Sequence, residues 1–359
     1  MMKKIGSILL AMLLIALCAA PALAAEDKDN SFGAYDHVFI IGVDGAGAAF
    51  SQVESPCFDA IFGDFAYRHD AHTEVVTISA QNWGSILTGV DYTTHGFTND
   101  SLKKTERDSS APNHSIFYYA RQAMPQAELA SFVNWEAINH GLIETDLGVT
   151  KVRRDTDPKV VDEIEAYLNA GNAPALMFVQ LDSVDHAAHT HGGFSDEYFT
   201  AVRRADMLVG RIYNAVVQSG LMENGLFILV ADHGESKHGH GGFTVEEGAA
   251  ILAVTGKTVN ATAMDDDTHN RDASAIALYA LGIAQPEQFV SRVPADLFGT
   301  GTRAVPGAVT IHNRTFSTAD LDDAPPILRT ITNALKKAYH SVMNTLVDLP
   351  GNIRLKLNK

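Results

Sequence analysis

The sequence contains very little cysteine. Two cysteines occur in 359 residues, Cys18 and Cys57, and Cys18 lies in an N-terminal apolar stretch that we expect to be removed. A single remaining cysteine excludes an intramolecular disulfide. The folded chain therefore depends for its stability on an apolar core and on any metal that it binds.

The sequence also lacks a long apolar run after its first two dozen residues. Lys3 and Lys4 precede an apolar stretch at 8–19, and the small residues of a cleavage site follow at 22–24. This pattern is typical of a secretory signal peptide. Residues 1–24 are predicted to be removed, and the mature protein is predicted to be periplasmic or secreted, with no transmembrane segment.

Basic residues are scarce relative to acidic ones. The sequence has 27 Lys and Arg against 43 Asp and Glu, and its formal net charge is −16. Removal of the two leader lysines leaves 25 basic residues and a net charge of −18. Duplex nucleic acid is excluded as a primary partner, because it binds to basic surfaces. A small phosphorylated substrate is still possible, because a metal site contributes positive charge of its own.

Apolar runs of strand length alternate with helical segments along the chain. Strands are predicted at 37–43, 74–78, 129–134, 175–182, 226–231 and 249–254. Helices are predicted at 56–63, 79–89, 115–124, 156–169, 195–220 and 273–281. The alternation predicts an α/β fold with a doubly wound, largely parallel central sheet flanked by helices.

Composition divides the rest of the chain into a main domain at 25–298 and a peripheral C-terminal appendage at 299–359. The appendage begins with a Gly-, Pro- and Thr-rich stretch and contains a predicted helix at 327–347. Within the main domain, the polar segment 98–113 is predicted to be an exposed excursion that forms a small cap or lid. Its basic residues, which we expect to form a solvated face or to contact a substrate phosphate, are Lys103, Lys104 and Arg107.

Acidic residues and histidines follow the ends of three predicted strands. In chain order they are Asp44, Asp185, His189, Asp232, His233 and His240, with His238 as an alternative to His240. The carboxyl ends of parallel strands form the edge at which open α/β sheets bind their ligands. Oxygen and nitrogen ligands at this density favour a divalent transition metal, with zinc first.

Each of these residues also has a simpler explanation when it is taken alone. Asp44 could cap a helix, Asp185 with His189 could form a surface pair, and the loop after 226–231 could be a solvated Gly-rich loop. The recurrence of acids at three strand ends favours the metal site, because chance rarely produces all three.

Ser79 is the candidate nucleophile. It lies at a predicted turn from a strand into a helix, and the N–H groups and dipole at a helix start favour an anion. A neighbouring metal would lower the pKa of the hydroxyl. Asn82 is predicted to donate its amide to a phosphoryl oxygen. The alternatives are Thr77 as the nucleophile and a simple helix N-cap as the role of Ser79.

The ordered set of motifs resembles the alkaline phosphatase superfamily, and within it the type I phosphodiesterase/nucleotide pyrophosphatase branch. The matching pieces are GVDG at 42–45, SAQNWGSILTGVDYTTHG at 79–96, VDHAAHTHG at 184–192, ADHG at 231–234 and HGG at 240–242. The resemblance implies an alkaline phosphatase-like catalytic domain that binds two Zn²⁺ ions. It assigns one zinc to Asp185, His189 and His240, and the other to Asp44, Ser79, Asp232 and His233. It also implies that Ser79 attacks phosphorus and forms a covalent phospho-enzyme.

The chain departs from the phosphodiesterase pattern near the nucleophile. Members of that branch usually have threonine at the position of Ser79, followed by Phe-Pro and by a histidine after the asparagine. This chain has Ala80-Gln81 and Trp83 at those places, which puts the shape of the substrate pocket in question. The sulfatase branch requires x-Pro-x-Arg after its nucleophile, which neither Ser79 nor Cys57 has, so a sulfatase is not expected.

The sequence therefore predicts an exported zinc phosphohydrolase that acts on a small phosphorylated substrate, a nucleotide or another phosphodiester. Three alternatives remain open at this point. The chain could hydrolyse phosphomonoesters, it could transfer a phospho-group to or from an envelope lipid or glycan, or it could be a non-catalytic zinc-binding envelope protein. No particular oligomeric state is predicted.

Overall fold

A single seven-stranded sheet forms the centre of the protein. The computed structural model describes residues 31–262 and 264–312; the predicted signal peptide and the predicted helix at 327–347 lie outside the described residues. The strands, in chain order, are β1 His37–Val43, β2 Ala66–His72, β3 Leu129–Val133, β4 Thr150–Arg153, β5 Leu176–Leu181, β6 Gly225–Val230 and β7 Ala249–Thr255. Their order across the sheet is β2-β7-β6-β1-β5-β3-β4.

Five neighbouring strands of the sheet run parallel. They are β6, β1, β5, β3 and β4, whereas β7 runs antiparallel to both of its neighbours, β6 and β2. Strands β1, β5 and β6 are almost wholly apolar and buried, as strands covered on both faces must be. The prediction of a largely parallel, doubly wound α/β fold is confirmed.

Helices cover both faces of the sheet. They are α1 Pro56–Phe62, α2 Ser79–Thr88, α3 Tyr92–His95, α4 Asn99–Lys104, α5 Ile116–Ala123, α6 Glu136–Gly141, α7 Asp157–Asn169, α8 Ser183–His191, α9 Asp196–Gln218, α10 Val245–Gly248 and α11 Asp272–Ala280. Helices α2, α5, α6 and α11 contribute to the apolar core on one face. Helices α1, α7, α8 and α9 contribute to the core on the other face.

The order of the strands positions the site. Because β1 pairs with β5 on one side and with β6 on the other, the three strand ends that carry acidic residues are adjacent at the middle of the sheet. The strand β2 has the same direction as β6, since each is antiparallel to β7. The segment after β2 therefore brings Ser79 to the same edge of the sheet.

Three details of the sheet were not predicted correctly. The strands β2 and β4 were missed because both lie at the edges of the sheet, where polar residues replace the apolar pattern. The predicted strand at 74–78 is wrong: this segment is irregular, and its apolar residues Val76 and Ile78 form a small buried cluster with Tyr92.

The first part of the predicted appendage is attached to helix α9. The Tyr213 hydroxyl donates to the Pro306 carbonyl at 2.6 Å. The Asn214 side chain exchanges two hydrogen bonds with the backbone of Val309, at 2.9 and 2.7 Å. The boundary at residue 298 stays a prediction. No helix within 31–262 or 264–312 has both the length and the apolar character of a membrane-spanning helix.

Candidate metal centre

One cluster of candidate ligands forms where β1 and β6 end beside the start of α2. The His233 Nε2 atom lies 3.2 Å from Asp232 Oδ2 and 3.6 Å from Asp44 Oδ1. The Ser79 Oγ atom lies 3.3 Å from the same nitrogen. All four side chains are buried. The structure thus brings together the residues that the resemblance assigns to the zinc beside the nucleophile.

A second cluster lies beside the first, at the end of β5. Asp185 and His189 are one turn apart on α8, with Asp185 Oδ2 at 3.3 Å from His189 Nε2. His240 completes the cluster, because its Nε2 lies 3.3 Å from Asp185 Oδ1 and 3.2 Å from His189 Nε2. The alternative residue His238 is exposed and belongs to neither cluster of the described residues.

Backbone carbonyls fix the tautomers of two of these histidines. The Nδ1 atom of His233 lies 3.0 Å from the Gly234 carbonyl oxygen, and that of His240 lies 2.7 Å from the Thr77 carbonyl oxygen. A carbonyl only accepts, so each Nδ1 carries a proton and each Nε2 presents a lone pair. These lone pairs point at carboxylate oxygens, and a cation between them removes that repulsion. The donor set therefore fits a divalent transition metal.

Burial and mutual repulsion act on the ionisation of the same groups. Burial, together with Asp232, Asp185 and Asp182, raises the pKa of Asp44 well above its usual range. Burial and the neighbouring His240 lower the pKa of His233. Burial would raise the pKa of Asp185, but three histidines outweigh it and lower that pKa. A bound cation offsets the repulsion among the acids, so metal binding and stability are coupled here.

In Asp44 and in Asp232, one carboxylate oxygen accepts hydrogen bonds from the protein and the other faces the first cluster. Asp232 Oδ1 accepts from the N–H groups of Gly45 at 3.0 Å and His233 at 2.9 Å. The oxygens that face the cluster, Asp44 Oδ1 and Asp232 Oδ2, accept no hydrogen bond within the described residues. A buried acceptor without a partner costs about 1–3 kcal/mol, so these oxygens are arranged for a ligand rather than for the folded chain alone.

The Ser79 hydroxyl is not used to cap its helix. Ile78 occupies the N-cap position and Ser79 is the first residue of α2, so the N-cap alternative is excluded. Thr77 lies next to it, but its hydroxyl accepts from Gly241 N–H at 2.9 Å and donates to the Gly242 carbonyl at 3.4 Å. Thr77 therefore holds the loop that carries His240, and Ser79 is the hydroxyl that faces the clusters.

A cavity of about 270 Å³ opens over both clusters. It is lined by Asp44, Ser79, Asn99, Lys103, Trp135, Asp182, Asp185, His186, His189 and His240. Burial and Asp185 raise the pKa of Asp182 to about 7. Asn99 and Trp135 were not predicted as site residues from the sequence, whereas contact of Lys103 with a substrate phosphate was one of the two expectations for it. Asn99 and Lys103 are four residues apart on one helix, a spacing that places them on the same face.

The sequence matches a known protein family over most of its length. Residues 38–296 match the model of the type I phosphodiesterase / nucleotide pyrophosphatase family. The chain belongs to this family. The resemblance to this branch of the alkaline phosphatase superfamily is thereby confirmed, and as a member of the family the chain is a phosphoester hydrolase. No curated protein matches the chain in sequence.

Solved structures of low sequence identity share the fold. Murine ectonucleotide pyrophosphatase / phosphodiesterase 5 aligns with a TM-score of 0.59 and 12% identity, over 73% of this chain and 100% of that one. An inactive form of the same murine protein, in complex with AMP, aligns equally well, with a TM-score of 0.59 and 12% identity over 74% of this chain and 100% of that one. The lipoteichoic acid synthase LtaP from Listeria monocytogenes aligns with a TM-score of 0.55 and 15% identity, over 89% of this chain and 95% of that chain.

Trp83 stands where members of this family usually have histidine, and in this chain it orients Asp44. Its Nε1–H donates to Asp44 Oδ2 at 2.9 Å, and the Gln180 amide donates to the same oxygen at 3.0 Å. The indole lies against Gly42, where an ideal Cβ would be only 2.4 Å from the ring carbon Cη2. Glycine at 42 therefore makes room for the ring that orients Asp44.

Asn82 does not lie at the cavity, contrary to the expectation from sequence. Its Oδ1 accepts from Glu74 N–H at 2.8 Å and its Nδ2 donates to the Ile78 carbonyl at 3.3 Å. The side chain is fully buried and braces the segment that leads to Ser79. The amide beside the nucleophile belongs to Asn99, whose Oδ1 accepts from Ala80 N–H at 3.0 Å.

The three basic residues of the excursion have different environments. Arg107 is buried and donates to the carbonyls of Leu142, Pro112 and Asn113, so it is not part of a solvated face. Lys104 is exposed and pairs with Asp100 at 2.9 Å. Lys103 lines the cavity, where it is the one Lys or Arg among the described lining residues.

Proposed function

We propose that the chain is an exported, zinc-dependent phosphohydrolase that cleaves phosphodiester or nucleotide pyrophosphate bonds through a covalent phospho-Ser79 intermediate. The observation that carries this proposal is the position of Ser79 Oγ, 3.3 Å from His233 Nε2 and open to the cavity that the second cluster also lines. A nucleophile in a cavity that residues of both clusters line would suit an in-line phosphoryl displacement assisted by two metal ions. Export is proposed from the leader pattern at residues 1–24.

The residues present divide into two ligand sets. Asp44, Asp232, His233 and Ser79 would hold one ion, and Asp185, His189 and His240 would hold the other. Zinc is proposed because all the ligands are carboxylate, imidazole or hydroxyl groups. When bound, the two ions lower the pKa of the Ser79 hydroxyl and offset the charge on the phosphoryl oxygens.

The chain's own groups then account for the two displacements. In the first, Ser79 Oγ forms a bond to phosphorus as the bond from phosphorus to the leaving oxygen breaks, and the leaving oxygen takes up a proton. In the second, a water oxygen bonds to phosphorus, the Oγ–phosphorus bond breaks, and the Ser79 hydroxyl regains a proton. Asn99, beside Ser79 at the start of α2, is placed to contact a phosphoryl oxygen during both displacements.

A nucleotide is the proposed substrate class. The complex of the murine structural relative with AMP supports it. The cavity also offers an aromatic surface, Trp135, for a base and a cation, Lys103, for a further anionic group. The acidic net charge of −16 means that the anion-binding groups must be local to the cavity.

The decisive experiment combines metal analysis with a substrate panel. The purified full chain should contain zinc and should hydrolyse an aryl phosphodiester and a nucleoside triphosphate faster than an aryl phosphomonoester. Removal of zinc by a chelator should lower turnover at least about 100-fold, and added Zn²⁺ should restore it. Zinc-loaded protein that cleaves none of the three would refute the proposal and favour a non-catalytic zinc-binding protein.

Transfer of a phospho-group to an envelope alcohol is a second candidate, favoured by the likeness to LtaP over 89% of this chain. The two candidates share the first displacement and differ in the acceptor of the second. Turnover in the presence of glycerol as a competing acceptor separates them. From a phosphodiester, a phosphomonoester as the sole product supports hydrolysis, whereas a dominant mixed diester that contains glycerol supports transfer.

Lys103 is predicted to recognise a second anionic group of the substrate. Lys103→Ala should raise KM for a nucleoside triphosphate about fivefold, since a solvent-exposed ion pair contributes up to about 1 kcal/mol. KM for an aryl phosphodiester, whose leaving group has no further phosphate, should hardly change. Lys104→Ala is the matched control, because Lys104 is adjacent but does not line the cavity. Equal effects of the two substitutions would contradict the assignment.

A further inference from the structure

Glu235 is a buried carboxylate that the two ligand sets do not include. It lies two residues after His233 and is 1% exposed. Neither Oε1 nor Oε2 accepts a hydrogen bond from a donor among the described residues, and the ionisable neighbours of Glu235 include other acids, Asp185 first among them. Burial of a carboxylate without a partner is costly, so such a group in a folded protein requires an explanation.

The position of Glu235 is between the two clusters. One of its oxygens lies within 4.8 Å of a ligand atom of His233 and of a ligand atom of His240, and these histidines belong to different clusters. The two imidazole rings are stacked, with centroids 3.8 Å apart, so they form a common wall of both sites. Glu235 is therefore close to one candidate ligand of each cluster.

The surroundings of Glu235 supply acceptors rather than donors. Its Oε1 faces Gly45 and Asp185, because an ideal Cβ on Gly45 would lie 3.1 Å from Oε1 and 2.9 Å from Asp185 Cα. The nearby Tyr198 hydroxyl is directed elsewhere, to the carbonyls of Gly45 at 3.0 Å and Ala46 at 3.3 Å. Within the described residues, no Lys or Arg forms a salt bridge with Glu235.

We propose that Glu235 is a further ligand of the metal centre, whose carboxylate binds the divalent cation held by His233 or the one held by His240. Its two unpartnered oxygens, the two imidazoles and the absence of a protein donor in the described surroundings together form a cation-binding set. The proposal rests on the proposed function only in requiring a divalent cation at this centre.

The test compares wild type with Glu235→Gln, which keeps the shape of the side chain and removes its charge. Zinc binding is measured by titration of the metal-free full chain with Zn²⁺ alone. We expect the Kd of at least one zinc to rise about 10- to 100-fold in the variant. Wild-type affinity and stoichiometry in the variant would overturn the proposal.

Thermal unfolding of the metal-free proteins provides a second measurement. Here the variant is expected to be at least as stable as wild type, although it binds zinc more weakly. Without metal, Glu235 adds a further acidic group beside Asp185 in a buried site, so the metal-free variant should unfold at the same temperature or higher. Zinc should then raise the Tm of wild type more than that of the variant. A lower Tm of the metal-free variant would show a structural role instead and would overturn the proposal.

Glu246→Gln is the matched control, because Glu246 is exposed nearby in the chain and its substitution removes the same charge. The zinc affinity of this variant should equal that of wild type, and a comparable loss there would assign the effect to general electrostatics and overturn the proposal. Wild type that binds zinc but cleaves no phosphoester would refute the proposed function and leave the assignment of Glu235 standing.

Discussion

Replacing Ser79 with alanine is expected to lower turnover of an aryl phosphodiester by at least about 10⁴-fold, since removal of a serine nucleophile can lower kcat by about 10⁶-fold. Its Oγ is the hydroxyl that lies 3.3 Å from His233 Nε2 and lines the cavity. The variant should still fold, because the hydroxyl caps no helix and Ile78 occupies the N-cap position.

Two companion variants make this result specific. Ser79→Thr keeps a hydroxyl at the same place and should retain turnover within about tenfold of wild type, since threonine is also a competent nucleophile. Thr77→Ser keeps the hydroxyl that holds Gly241 and Gly242 and should be close to wild type. Unchanged turnover in Ser79→Ala would remove Ser79 from the role of nucleophile.

The covalent intermediate can be tested directly. Rapid acid quench of wild type during turnover of a phosphodiester should trap a peptide in which Ser79 carries the phosphoryl group with its remaining ester, and tandem mass spectrometry locates the modified residue. Ser79→Ala should give no such peptide. Modification of Thr77 in place of Ser79 would identify Thr77 as the nucleophile and contradict the proposed chemistry.

The parts of the protein that the sequence predicts well are those that depend on local pattern. The buried strands β1, β5 and β6 are predicted from unbroken apolar runs, and the candidate ligands are identified because they follow these strands directly. Neighbouring parallel strands have their carboxyl ends at the same edge of the sheet, independently of the conformation of the connecting loops. Acids and histidines that recur at the ends of such strands are therefore expected to be close in space.

The parts that the sequence does not predict depend on tertiary packing. Asn82 is three residues into α2, and only the structure shows that its amide turns back to Glu74 and Ile78 rather than to the cavity. Asn99 and Lys103 reach the cavity on a separate helix, α4, whose docking is not encoded in the spacing of the motifs. Glu235 was not predicted as a site residue for another reason. A glutamate in a polar loop gives no indication in the sequence that its side chain is buried.

Gly45→Ala is expected to affect stability and activity together. Gly45 has a φ of +67°, and an ideal Cβ would lie 2.9 Å from both Cα and Cβ of Asp185. Its N–H also donates to Asp232 Oδ1 at 3.0 Å, so the residue contacts both ligand sets. The strained φ costs about 1–2 kcal/mol and the clash a further 1–3 kcal/mol or so. A displacement of Asp185 should lower kcat/KM by about 100-fold.

Gly96→Ala separates the effect of the positive φ from the effect of the contact between the new Cβ and Asp185. Gly96 has nearly the same φ, +66°, but no heavy atom lies within 4 Å of its ideal Cβ. It should lose only the 1–2 kcal/mol or so that belongs to the backbone conformation and keep wild-type kcat/KM. Urea unfolding and steady-state kinetics of both variants measure the comparison. Equal losses of unfolding free energy and of kcat/KM in the two variants would contradict this prediction. The positive φ that both glycines share would then explain the effect, and the contact between Gly45 and Asp185 would not.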